Sequence, residues 1–144
     1  MHLRPIAPAA LLLALSAGAA QAQEYNRYQG AWQGDFMFSV TQPDVGAKSP
    51  PVVLAGSLSI DADGQVQGRV PEAGCRLSGT SFDFVSPANA TLEVDLQGCA
   101  DARFNLHFTG RLINNPVLRY ASLRLAAKRD SDAATLQLTA VVRR

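Results

Sequence analysis

The chain has 144 residues, a formal net charge of +1, and eleven glycines and eight prolines placed in short bursts. That length suits one domain with one core. The Gly/Pro bursts suit many tight turns and exclude a protein built of long helices.

The first segment is not expected to join the fold. Met1 to Arg4 is weakly basic, Ile6 to Ala20 is an apolar run without acids, and Ala20-Gln21-Ala22 has the small-x-small form that signal peptidase reads. These features predict a signal peptide over 1–22, cut after Ala22. The run is shorter than the roughly 20 apolar residues that span a bilayer, and no later stretch is long and apolar enough to do so. Residues 23–144 are therefore expected to form a single exported domain, periplasmic or secreted, with no membrane span after cleavage. Gln23 to Gln29 carries Tyr25, Arg27 and Tyr28, an adhesive composition for a flexible arm and a candidate partner-binding segment.

Strict alternation of apolar and polar residues, the mark of half-buried strands, fills the rest. The first strand turns Trp32, Gly34, Phe36, Phe38 and Val40 inward, and Thr41 to Pro51 is the longest connection. The second turns in Leu54, Gly56, Leu58 and Ile60. Asp61-Ala62-Asp63-Gly64 is a hairpin turn in which glycine supplies the positive φ. The third strand is Gln65 to Val70. A fourth starts at Cys75, and its apolar phase slips from Leu77 and Gly79 to Phe82 and Phe84, which predicts a bulge near Gly79–Ser81. A turn at Ser86-Pro87-Ala88-Asn89 leads to a fifth, with Leu92, Val94, Leu96 and Gly98 inward. A sixth is expected over Phe104 to Leu112, a seventh over Tyr120 to Lys128, and an eighth with Leu136, Leu138, Ala140 and Val142 inward. Short links between eight strands predict an all-β fold, a small up-and-down antiparallel β-barrel or coiled meander. An outer-membrane barrel would need an apolar outer face and a polar lumen. Here the aromatics share one face and Gln, Asp, Ser, Thr and Arg the other.

Cys75 and Cys99 are the only cysteines, and an even pair in an exported chain predicts a disulfide. A hairpin centred on Pro87, combined with the bulge, sets Phe82 opposite Leu92 and Cys75 opposite Cys99. Six glycines (Gly34, Gly56, Gly68, Gly79, Gly98 and Gly110) fall in the inward register. They permit sharp coiling of a small closed sheet or leave room for a ligand. About twenty large inward side chains argue for a filled interior.

Charge is sorted along the chain. Residues 23–102 carry four bases against ten acids, whereas 103–144 carry eight bases against two acids. Arg119, Arg124 and Arg129 in the second block are candidate partner-binding residues. No catalytic set is expected. His107 is the only imidazole after residue 22 and lies on a polar strand face, and Glu93 and Asp95 read as surface acids. Asp61 and Asp63 lack the calcium-loop pattern, and two cysteines with one histidine make a poor zinc site. No cofactor motif occurs, and the late arginines alternate with Leu and Ala instead of exposed aromatics, which excludes nucleic acid as a partner.

Gly30-Ala31-Trp32, in the form Gly-x-Trp at the head of the first strand, resembles the opening of lipocalins and other calycin barrels, where the Trp packs across the closed end. Bacterial periplasmic inhibitors of secreted metalloproteases share that opening, a signal peptide, eight strands and one disulfide. The resemblance implies that Tyr25 to Tyr28 would enter a protease cleft. Gly74-Cys75-Arg76-Leu77-Ser78-Gly79 with Gly98-Cys99 is also similar to small Gly-rich envelope β-proteins of no assigned activity. The expected function is a non-catalytic envelope protein binding another macromolecule, such as an inhibitor or immunity factor. The alternatives are a lipocalin-like carrier of a small apolar ligand and a structural envelope component.

Overall fold

The computed structural model describes residues 28–44, 49–86, 89–115 and 117–144, with side chains 83–86 left aside. The expected signal peptide, Tyr25 and Arg27 lie outside the described residues. Eight strands run in chain order: β1 Gly30–Thr41, β2 Val52–Ile60, β3 Gln65–Val70, β4 Cys75–Ser86, β5 Asn89–Gln97, β6 His107–Asn115, β7 Tyr120–Lys128 and β8 Thr135–Arg143. Each pairs antiparallel with the next, and β1 pairs with β8 from Gln33↔Arg143 to Thr41↔Thr135, so the sheet closes into a barrel.

The alternation read in the sequence decides what the barrel encloses. Trp32, Phe36, Leu58, Ile60, Leu92 and Phe108 are among the largest fully buried side chains, and no polar or charged residue is buried among those described. An apolar interior under a largely polar outer wall is the reverse of a membrane barrel. Among the described residues no helix is long and apolar enough to cross a membrane.

Inward glycines serve closure rather than a cavity. A Cβ at Gly79 would overlap the Glu93 carbonyl oxygen, and one at Gly110 the Arg124 carbonyl oxygen. The neighbouring backbone already occupies that space. At Gly56 the obstacle is the Phe36 ring, 2.7 Å from the position a Cβ would take. Gly98 departs from the expected inward register; it follows β5 at φ +72° and makes the bend there. Gly64, at φ +80°, closes the β2–β3 turn as its sequence predicts. Asp61 Oδ1 accepts the N–H groups of Asp63 (2.9 Å) and Gln65 (2.8 Å) in that turn.

Each end of the barrel has its own closure. At one end Trp32 is buried, its indole N–H donates to the Tyr28 carbonyl at 2.8 Å, and the Arg144 guanidinium lies 4.5 Å over its ring. At the other, Phe104 meets Phe38 edge-on, with centroids 5.0 Å apart, and stacks on Phe108 at 6.5 Å. The Cys75–Cys99 disulfide sits at this second end.

Three expectations are corrected. The phase of β4 does not slip at Gly79–Ser81. Its ladder with β5 stays regular from Arg76↔Gln97 to Phe82↔Thr91, and the register shift falls between Phe82 and Ser86. Phe82 therefore points outward, 37 % exposed, and Ser81 opposes Leu92. Ser81 is held by the β2–β3 turn, donating from its N–H (2.7 Å) and its hydroxyl (3.1 Å) to the Gly64 carbonyl. Secondly, Cys75 and Cys99 are not strand partners; Cys99 reaches Cys75 from the bend beyond Gly98. Thirdly, the sixth strand begins at His107, because Ala102–Phe104 is a 3-10 turn whose Asp101 side chain accepts the Arg103 N–H.

Two outcomes follow for stability. Gly110→Ala forces β6 and β7 apart and is expected to destabilise the barrel by about 2–3 kcal/mol, read as a lower urea midpoint at unchanged m-value. The disulfide spans 24 residues of sequence. Its reduction is expected to remove roughly 3 kcal/mol, and the unreduced, unfolded protein should titrate no free thiol.

Candidate binding face

Antiparallel pairing arranges the outward side chains of successive strands in rows across the wall. The β6–β7 connection sets the register that matters most. Asn115 Oδ1 accepts the Leu118 N–H at 3.1 Å, Arg119 takes φ +56°, and pairing resumes at Asn115↔Tyr120. That register places Arg111 directly opposite Arg124. The row then continues through Thr139 on β8 and Met37 on β1 to Val53 on β2. The neighbouring row runs Ile113, Ser122, Val141, Asp35, Ala55.

These two rows border a broad recess of about 1270 Å³ on the outer wall across β6, β7, β8 and β1. Twisted strands give a closed sheet a hyperboloid shape, hollow along its axis on the outside. Four large apolar side chains stand exposed in the recess: Val141 (55 %), Val53 (54 %), Ile113 (39 %) and Met37 (37 %). Its charged groups are Arg111, Arg124, Arg143 and Asp35. Among the described residues neither Arg111 nor Arg124 joins an ion pair; those present are Arg103–Asp101, Arg129–Asp132 and His107–Asp95. Like charges directly opposite each other on a sheet oppose folding.

The residues singled out by sequence are not brought together. Tyr28 is 3 % exposed and belongs to the Trp32 end of the core, so its ring is not part of a free arm. Arg119 lies in the β6–β7 turn, Arg124 at the middle of β7, and Arg129 beyond its far end. Five positions along the chain separate each from the next, with β7 between the first and the last. Arg129 is engaged by Asp132, which also accepts the Ala134 N–H and so shapes the β7–β8 turn. Arg111 was missed. Alternation shows that it faces outward, but its partner depends on the length of the turn at Asn114-Asn115-Pro116. His107 stands opposite Asp95, with Nδ1 2.8 Å from Oδ1, and both are about half exposed.

An apolar hollow of about 160 Å³ lies beside the disulfide, lined by Phe38, Val52, Leu54 and Phe104 among others. Pockets that enclose small ligands usually measure roughly 300–1,000 Å³.

No protein-family model matches the chain, and no curated protein matches it. Among solved structures, the chain is similar to a mutant of transferrin-binding protein B, a vaccine antigen from Haemophilus parasuis. The TM-score is 0.47 at 8 % identity, over 81 % of this chain. The chain spans about a quarter of that protein's length (26 %), and nothing about the partner of this chain follows from the likeness.

The Arg129–Asp132 contact makes a titration testable. The Asp132 carboxyl is lowered to about 2, first by the Arg129 side-chain hydrogen bond and then by the Ala134 N–H. The folded turn thus keeps this stabilisation at and above the ordinary carboxylate pKa and loses it as pH falls through about 2. NMR titration of Asp132 should show that midpoint, and Arg129→Ala should move it up toward the ordinary range.

Proposed function

We propose that this chain is an exported, non-catalytic binding protein, periplasmic or secreted, that acts on another macromolecule as an inhibitor or immunity factor. The observation that carries this reading is the placement of its space. The interior is filled with side chains, while the broad recess lies on the outer wall, with exposed apolar side chains and arginines that no carboxylate among the described residues engages. Exposed apolar groups next to unneutralised cations suit a protein partner. The disulfide supports an oxidising compartment. Trp32, closing one end from Gly30-Ala31-Trp32, supports the calycin-like reading of the barrel. The carrier alternative has less support, because the hollow beside the disulfide is small and neighbouring backbone or the Phe36 ring already fills the space at Gly56, Gly79 and Gly110.

The test is the native mass of the protein released gently from its own host's envelope. An added mass of protein size is expected. An addition of a few hundred daltons would favour the carrier, and the bare mass would count against a tight partner. Removal of residues 23–27, which spares the buried Tyr28, tests the arm: loss of the partner would place the contact there, and retention would place it on the barrel.

A further inference from the structure

Resting on that reading, we infer that the outer recess receives an extended, acidic-then-apolar segment of the partner protein. The carboxylates would settle between Arg111 and Arg124, and the apolar side chains against Met37 and Val53. The argument starts from the row Arg111, Arg124, Thr139, Met37, Val53, one outward residue from each of five adjacent strands. Its basic end and its apolar end are separated by a single threonine. Strands lie about 4.8 Å apart, so the row follows about 19 Å of the curved wall, a path for an extended segment of about seven residues that bends with the barrel. In such a segment alternate side chains face the wall, so carboxylates at the first and third positions and apolar groups at the fifth and seventh meet the row in order.

Charge complementarity selects the acidic half. Arg111 and Arg124 stand opposite each other with no carboxylate among the described residues engaging either, and Arg143 adds a third positive charge to the recess, where Asp35 is the one acid among the described lining residues. Two guanidinium forks side by side suit carboxylate oxygens, which each can bind in bidentate fashion. The apolar half distinguishes a protein segment from a small anion, which would leave Met37, Val53, Ile113 and Val141 in water. A second pair, Arg69↔Arg76, provides an internal comparison. It lies in a row with Ser57 and Gln97, with no apolar end, and the inference assigns no segment to it.

The pair also predicts that binding and stability oppose each other. Arg124→Glu converts a like-charged cross-strand pair into an opposite-charged one with Arg111. It should raise the thermal midpoint while removing half of the carboxylate site.

The probe is a fluorescently labelled peptide, Glu-Ser-Glu-Ser-Leu-Ser-Leu, measured by anisotropy against the full mature protein, with Glu-Ser-Leu-Ser-Glu-Ser-Leu as its rearranged control. Saturable, salt-sensitive binding that favours the first peptide is expected. Arg124→Glu should weaken it by about tenfold or more, Met37→Ser with Val53→Ser should weaken it less, and Arg69→Glu should leave it unchanged. Absence of saturable binding, equal affinity for the rearranged peptide, or equal loss with Arg69→Glu would overturn the inference. So would Arg124-dependent binding to vesicles of phosphatidylcholine and phosphatidylglycerol without binding to the peptide, which would make the ligand a lipid surface. The two readings fail separately. An Arg124→Glu protein that still leaves the envelope with a protein-sized partner would sink the recess and keep the binder. A wild-type protein that binds the peptide but leaves the envelope alone would do the reverse.

Discussion

The β1–β8 ladder, from Gln33↔Arg143 to Thr41↔Thr135, joins the two ends of the described chain and turns a meander into a barrel. Without it β1 and β8 would be edge strands with unpaired N–H and C=O groups, open to further pairing. With it every strand has two neighbours. Closure has a geometric condition, since neighbouring backbones must approach at points where a Cβ would collide, as at Gly79 and Gly110. It has a kinetic one as well. Seven of the pairings join successive strands, but the eighth brings together residues more than 90 positions apart, and such non-local contacts slow folding. The Cys75–Cys99 bridge lies within the β4–β5 region and does not span that seam.

Closure also decides where function can sit. An eight-stranded barrel is just wide enough for side chains to fill, and Trp32, Phe36 and Phe108 fill this one. Once the interior is committed to stability, the surface left for recognition is the outer wall and the loops. The twist that permits closure makes that wall hollow along its axis. The recess over β6, β7, β8 and β1 lies on that wall, outside the sealed core.

Much of this was legible in the residues. The bounds of β3, Gln65–Val70, and β7, Tyr120–Lys128, coincide with the expected ones because both have unbroken alternation and clear turn residues at each end. Phe82 runs against the expectation that an aromatic faces the core. Pairing outranks hydrophobicity there: the ladder with β5 is already fixed from Arg76 onward, and period 2 sends Phe82 outward. The sixth strand began late because Asp101 caps a 3-10 turn that alternation cannot reveal. The Arg111–Arg124 pair was illegible for a different reason. Alternation fixes which face a side chain takes, but the residue opposite it depends on turn length, and Asn114-Asn115-Pro116 does not fix that length.

The segregation of charge along the chain acquires its meaning from topology. In an up-and-down barrel, strands adjacent in sequence are adjacent in space, so a block of sequence becomes a sector of wall. The block with eight bases and two acids, 103–144, contains β6, β7 and β8. The acid-rich block before it contains β1 to β5. That arrangement gathers Arg111, Arg124 and Arg143 on one side of the wall, whereas Asp61, Asp63, Glu72 and Asp101 of the earlier block fall in turns between strands. A local positive field of this kind orients an approaching charged partner before contact. The arginines facing each other on β6 and β7 concentrate that field in the recess, at the cost of repulsion within the sheet. The closed ladders on either side of them, β5–β6 and β7–β8, hold the strands in register against that repulsion.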